Sequence, residues 1–333
     1  MHYHFLCLER SDGSVVTADV RYPSDEHHDA TTATTAQKTA SLHKPIVLVL
    51  HGFKGFAQWG FFPVLGVRLA ASGMISIVMN FSLNGVSRLL TSSGDLSGEM
   101  LTECTETDHF ARNTISHECD DVRLLLHHLL RHELPLPESV YKIWDGRVFL
   151  LAHSRGGAVA WIVAPEFSCV RRIVGWCTVA HLDHFSERQH QEWHAQGFME
   201  VQNARTGQVL KMNVEYLHDI QRHAEQYEPL YAIQRVAANA IDVLLLHGEQ
   251  DMTVPAWHAQ ALAEAYRTGL QKAQAPSAES TAAPVLTTTT TRPIVRVEYI
   301  AQSGHTWNIV HPFAGSTPAF EAALQHTLDF LAS

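Results

Sequence analysis

Short apolar runs recur along the chain, and amphipathic stretches of helical length separate them. Ile46–Leu50, Ile75–Met79, Val148–Ala152, Ile173–Val179, Val243–Leu246 and Val295–Ile300 are runs of β-branched and aliphatic residues. Such runs suit strands buried on both faces. Between them the apolar positions take helical spacing. Helices are expected from about Val64 to Ser72, closed by Gly73, and over Thr114–His132, with Leu124, Leu125 and Leu129 on the inner face. Others are expected over Arg155–Val163, stopped near Pro165, over Trp257–Arg267, and over Pro318–Leu331, with Pro318 in the first turn. At the N-terminal end, Tyr3–Glu9 and Val15–Tyr22 flank Asp12-Gly13 and read as a hairpin. This alternation predicts an α/β fold, with a mainly parallel sheet covered by helices on both faces.

Three stretches break the rhythm. Residues 24–44 and 271–293 are polar and rich in Thr and Ala, with Thr287–Thr291 unbroken. They hold too little apolar surface to offset the entropy of ordering, and are expected to be loops between core elements. Residues 183–240 show no convincing strand and scatter Trp193, Phe198, Met199, Tyr216, Tyr227 and Tyr231 among polar positions. That stretch is expected to be an insert of helices and loops roofing a pocket at the carboxyl edge of the sheet. The 333 residues then form one domain, 1–333, carrying one cap and two low-complexity loops.

Composition narrows the function. A net charge of −10 opposes an electrostatic grip on nucleic acid or an anionic membrane, so neither is an expected partner. No apolar run is long enough to span a bilayer, and the first residues lack the pattern of a secretory signal. The five cysteines are scattered without a Cys-x-x-Cys pair, which suits reduced thiols in the cytoplasm. Histidine is abundant, at 23 residues, and His190 and His194 share helical ligand spacing. No general-base motif accompanies them, so they read as surface residues and no metal is expected.

The candidate chemistry lies in loops that leave the carboxyl ends of four strands, where open α/β sheets place their sites. After Val148–Ala152 come His153-Ser154-Arg155-Gly156-Gly157. An apolar run, a serine and two glycines suit a sharp strand-to-helix turn that lifts the serine hydroxyl above the sheet. Residues two before and two after the serine must be small; Gly156 and Ala152 meet that demand. Serine is a weak nucleophile until a base and an orienting acid assist it. His305, in Gly304-His305, is the candidate base, and Asp251, in Gly248-x-x-Asp251-x-x-Val254-Pro255, is the candidate acid. Asp242 and Glu249 are alternatives for the acid, His311 and His181 for the base. Backbone N–H groups of Phe53 and Arg155 are the expected oxyanion donors, and His51 is expected to shape their loop through hydrogen bonds. His51, Gly52, His153 and Trp307 are expected to line the substrate site. Trp59, Phe61, Phe62, Trp176 and Trp193 extend the aromatic character, although large aromatics more often build cores.

These four loops, in the order Ser, Asp, His, resemble the α/β-hydrolase superfamily over nearly the whole core. His51-Gly52-Phe53-Lys54-Gly55-Phe56 with Trp59-Gly60-Phe61-Phe62-Pro63 is similar to the dienelactone-hydrolase-like and serine-aminopeptidase-like branches. Ala152 departs from the usual first glycine of the turn. The resemblance implies an α/β-hydrolase fold with a helical cap and a serine hydrolase acting without cofactor on a small-molecule carboxylic ester or thioester. Two other classes stay open: a peptidase or amidase on the same fold, gripping an amine through carboxylates such as Glu187, Glu192 or Glu200, and a non-catalytic binder.

Overall fold

In the computed structural model, residues 1–24, 43–86, 104–204, 206–275 and 292–333 are described. The expected loops 24–44 and 271–293 fall largely outside these residues. Their ends are better defined: Lys44 opens a strand, and a helix continues to Gln274.

The strands are β1 (His2–Glu9), β2 (Val15–Tyr22), β3 (Lys44–Leu50), β4 (Ile75–Asn80), β5 (Trp144–His153), β6 (Val170–Trp176), β7 (Phe198–Gln202), β8 (Val209–Asn213), β9 (Asp242–Gly248) and β10 (Val295–Ile300). Eight of them form one sheet in the order β1-β2-β4-β3-β5-β6-β9-β10, while β7 and β8 pair apart as a hairpin. In the large sheet, β2 runs antiparallel to both neighbours and every other pair is parallel.

The helices are α1 (Phe62–Ala71), α2 (Thr107–Arg112), α3 (Ile115–Leu130), α4 (Glu138–Ile143), α5 (Gly156–Val163), α6 (Glu187–Gln196), α7 (Val214–Arg222), α8 (Ala224–Tyr227), α9 (Pro229–Ala238), α10 (Trp257–Gln274) and α11 (Pro318–Ala332). The apolar runs are continuous because alternate residues face two different cores. Ile46, Leu48 and Leu50 join Leu150, Ile173 and Val243 beneath α3, α5, α9 and α10. Val47 and Val49 join Leu151, Val174 and Leu244 beneath α1 and α11. Side chains of Thr114 and Thr317 cap α3 and α11 by accepting from the backbone N–H of His117 and Phe320, each at 3.1 Å.

The stretch 183–240 differs from its sequence reading in two ways. It contains the β7–β8 hairpin, and its last helix is not part of a roof. Ala232, Ile233, Val236 and Ala237 of α9 are buried in the same core as α5 and α10, so α9 covers one face of the sheet. The remaining segment, α6 to α8, touches loops at the carboxyl edge. Lys54 donates to the carbonyl of Gln202 at 3.0 Å, and Gln208 exchanges hydrogen bonds with the backbone of Cys104. Among the described residues, no helix is long and apolar enough to cross a membrane.

Candidate active site

Ser154 stands between the last residue of β5 and the first turn of α5, with a left-handed φ of 56°. A non-glycine residue there costs about 1–2 kcal/mol. Its N–H donates to the carbonyl of Trp176 on the neighbouring strand at 2.9 Å, which pins the turn to the sheet. The small-residue demand has a physical source. A Cβ on Gly156 would lie 2.5 Å from the carbonyl oxygen of His51 and 3.0 Å from that of Leu50, both backbone atoms that cannot swing away. On the opposite side, a Cβ on Gly52 would come within 2.7 Å of Ser154 Cβ. Gly52 therefore borders the serine directly. Ala152 is fully buried in β5, paired with Leu50 and Gly175.

Strand order brings the loops that carry Ser154, Asp251 and His305 to one edge of the sheet: only β6 separates β5 from β9, and β10 lies beside β9. Asp251 follows β9 and His305 follows β10. His305 Nδ1–H donates to Asp251 Oδ2 at 2.7 Å. Asp251 Oδ1 accepts from the N–H groups of Thr253 and Val254 at 2.9 and 2.8 Å. Burial alone would raise the Asp251 pKa. Hydrogen bonds from His247 and His305, the His305 charge and the Val254 N–H outweigh it and hold the carboxyl well below the usual carboxylate range. The alternatives lie elsewhere. Asp242 opens β9 at the far edge and accepts from Ile294 N–H at 3.0 Å. Glu249 is exposed. His311 Nδ1 accepts from Gly60 N–H at 3.0 Å, and His181 pairs with Glu228.

His153 links the serine turn to the histidine loop. Its Nε2–H donates to the His305 carbonyl at 2.9 Å, and the two rings lie 4.7 Å apart. Edge contacts with Phe61 and Phe62 fix it from behind. His51 Nδ1–H donates to the Gly52 carbonyl at 2.8 Å, while its Nε2 accepts from Phe81 N–H at 3.3 Å. Both rings are thus neutral pieces that shape the rim through hydrogen bonds to the backbone. Burial lowers His51 to about 4 and, with the His305 charge, lowers His153 to about 3, against an ordinary 6.5. Below pH 6.5 the unfolded chain binds protons that the native protein refuses, so stability falls as acid is added. The slope should reach about 1.4 kcal/mol per pH unit for each histidine. The urea midpoint should drop between pH 7.5 and pH 5, and His51→Gln should flatten that drop. A flat wild-type midpoint over this range would contradict the buried neutral assignment.

Phe53 follows Gly52, which borders the serine, and Arg155 follows the serine itself. Among the described residues, neither backbone N–H has an acceptor, and the Ser154 hydroxyl makes no hydrogen bond. The rim therefore offers one free hydroxyl and two free donors on adjoining loops. The Arg155 side chain turns away to Glu118, and its guanidinium lies 4.4 Å over the Phe53 ring.

Trp307 corrects its sequence reading. It is fully buried, packs edge-on at 5.4 Å against Trp176, and has no surface to offer a ligand. Phe61, Phe62 and Trp176 lie in the same core, and Trp193 is buried within the 187–227 segment. The sequence reading also missed three partners of Asp251 and Arg155. Cys177, His247 and Asp251 place their ligand atoms within 4.8 Å of one another. His247 Nε2–H is shared between the Val254 carbonyl at 2.8 Å and Asp251 Oδ2 at 3.5 Å, and burial keeps the Cys177 thiol protonated. That donor set suits a carboxylate fixed by hydrogen bonds better than a metal ion. Glu118 is the third, an acid on the buried face of α3; an acidic residue at an apolar helix position was the available signal.

No protein-family model matches the chain, and no curated protein does either. Solved structures do match over its full length. Est1E from Butyrivibrio proteoclasticus aligns with a TM-score of 0.57 at 12% identity, covering 100% of both chains. The esterase domain of a Rhodothermus marinus protein aligns at 0.52 and 14% identity, covering 98% of this chain and 96% of its own. Mouse alpha/beta hydrolase domain-containing protein 10 aligns at 0.56 and 14% identity, covering 100% and 99%.

Proposed function

The chain has the α/β-hydrolase fold, and from that premise we propose a serine hydrolase that cleaves a small carboxylic ester or thioester through an acyl-enzyme. The carrying observation is the 2.7 Å hydrogen bond between His305 Nδ1 and Asp251, on a loop that His153, the neighbour of Ser154, ties down. In this reading Ser154 Oγ attacks the carbonyl carbon as its proton passes to His305 Nε2. Asp251 fixes the tautomer and stabilises the imidazolium. The Phe53 and Arg155 N–H groups take the oxyanion, each worth about 3 kcal/mol in the transition state. His305 then protonates the leaving group, and water repeats the sequence to release the acid. The segment 187–227 would roof the pocket, and the five unpaired cysteines suit a cytoplasmic setting.

Esters are preferred over amino-terminal peptides because the carboxylates an amine would need are poorly placed. Glu187 and Glu200 are exposed, and Glu192 is bonded to Arg188 at 2.7 Å. A fluorophosphonate probe should label Ser154, located by peptide mass. Turnover of p-nitrophenyl acetate should exceed that of amino-acyl anilides. Faster anilide cleavage would select the peptidase reading, and failure of the probe to label would select the non-catalytic one.

A further inference from the structure

The side chains of the two loops that carry the free N–H groups belong to one stacked column. Trp193 of α6 stacks on Tyr216 of α7, with ring centroids 6.0 Å apart and planes 9° from parallel. The Arg155 guanidinium lies 5.5 Å from the centre of the Tyr216 ring, whose hydroxyl it hydrogen-bonds, and 4.4 Å from the centre of the Phe53 ring. Phe53 continues to Phe110 of α2 at 5.5 Å. Glu118 of α3 holds the guanidinium from the side, and Asn113 Nδ2 donates to the same Glu118 oxygen at 2.8 Å. The Arg155 and Glu118 side chains are only 11% and 3% exposed, so this is a desolvated ion pair beside aromatic rings. A desolvated guanidinium close to aromatic rings gains cation–π attraction.

The backbone consequence is specific. Arg155 and Phe53 are the residues expected to supply the oxyanion donors, and among the described residues neither backbone N–H has an acceptor. Any shift of the guanidinium moves both loops at once. Removing Glu118 would leave a buried cation unpaired, and removing Tyr216 would open the column on the cap side. We propose that Glu118 and Tyr216 are positioning residues: they act through Arg155 and Phe53 to hold the oxyanion donors in place, so that seating of the 187–227 segment and stabilisation of the tetrahedral intermediate are one coupled property. This rests on the serine-hydrolase reading above.

The test uses the full chain and reads kcat, KM and the Ki of an alkyl trifluoromethyl ketone, whose hemiketal oxyanion mimics the intermediate. Tyr216→Leu and Glu118→Gln should each lower kcat on p-nitrophenyl acetate roughly 10-fold or more, with KM within about 3-fold of wild type. The ketone Ki should rise by a similar factor. Tyr216→Phe keeps the ring but loses the hydroxyl bonded to the guanidinium, so its kcat should fall between those of wild type and Tyr216→Leu. A raised KM with unchanged kcat and Ki would overturn the proposal and make Tyr216 a substrate contact. Unchanged kcat and Ki in Tyr216→Leu would overturn it too, because neither the ring nor the hydroxyl would then matter. Thermal unfolding identifies any variant that has lost its fold. Should Glu118→Gln fail to fold, the Tyr216 pair decides alone. Wild-type labelling by fluorophosphonate keeps the outcomes apart: no labelling sinks the hydrolase reading, while labelling with unaffected variants sinks only this one.

Discussion

Ser154→Ala is expected to lower kcat on p-nitrophenyl acetate by at least about 10⁴-fold, leaving only the catalysis that binding and oxyanion donors supply. Its stability should hardly change. The hydroxyl makes no hydrogen bond among the described residues, and alanine inherits the same φ of 56°. Ser154→Gly offers a second reading of that backbone. Glycine accepts the left-handed region freely, which recovers about 1–2 kcal/mol, and gives back about 0.5–1 kcal/mol in unfolded-state entropy. The net gain of under about 1 kcal/mol should place the glycine variant about 1 °C above the alanine variant in a chain of this length, while both are equally inactive. Thermal scans and initial rates on the two purified variants check both halves. Turnover surviving in either would remove Ser154 from the nucleophile role. Equal melting points would remove the strain argument.

The strain at Ser154 also shows why this part of the site was legible in the sequence. A serine in a forbidden conformation needs a sheet before it, a helix after it and small residues beside it. All three demands are local and leave a mark within a few positions. The strand runs were legible for a similar reason, because burial on both faces forces continuous apolar character. Boundaries were less so. The run Ile173–Val179 reads as one strand, yet β6 stops at Trp176 because Cys177 takes a positive φ of 49° and redirects the chain toward Asp251. The β7–β8 hairpin left a weak mark. Each strand is five residues long and half exposed, so polar and apolar positions mix without the density of a core strand.

Residues whose partners lie far along the chain left fainter marks. Glu118 is one acid on a long helix until Arg155 is seen beside it, and Tyr216 is one aromatic among several. Trp307 shows the converse. Its place two residues after His305 suggested a pocket wall, but a positive φ of 57° turns the ring inward onto Trp176. Sequence spacing gives the neighbourhood of a side chain, whereas the local backbone decides which side of the sheet edge it faces. The rim residues His51 and His153 followed the same logic. Both sit at strand ends, and both direct a ring N–H to a backbone carbonyl, which makes them parts of the frame.

Asp251→Asn is expected to lower kcat by about 10³–10⁴-fold through the tautomer of His305 and not through loss of shape. The two backbone N–H donors from Thr253 and Val254 hold Oδ1, so the new amide NH₂ must take the place of Oδ2. There it meets His305 Nδ1–H and, at 3.5 Å, His247 Nε2. Donor then faces donor, and the imidazole relieves the conflict by moving its proton to Nε2, the nitrogen that accepts from serine in the proposed mechanism. Stability should fall as well, by about 2 kcal/mol, since a buried charged acceptor is lost. The pH dependence carries the sharper signature. Wild-type Asp251 titrates below its unfolded value of 3.8, so its contribution is complete above about pH 5 and drains away as pH falls through 3.8 toward the depressed native value. The asparagine variant has no such proton to gain. Its urea midpoint should lie below wild type at pH 7, and the gap should narrow as pH falls below 4. A gap that stays constant down to pH 3 would mean that Asp251 is not the carboxylate His305 leans on, and activity retained in the variant would exclude it from the chemistry.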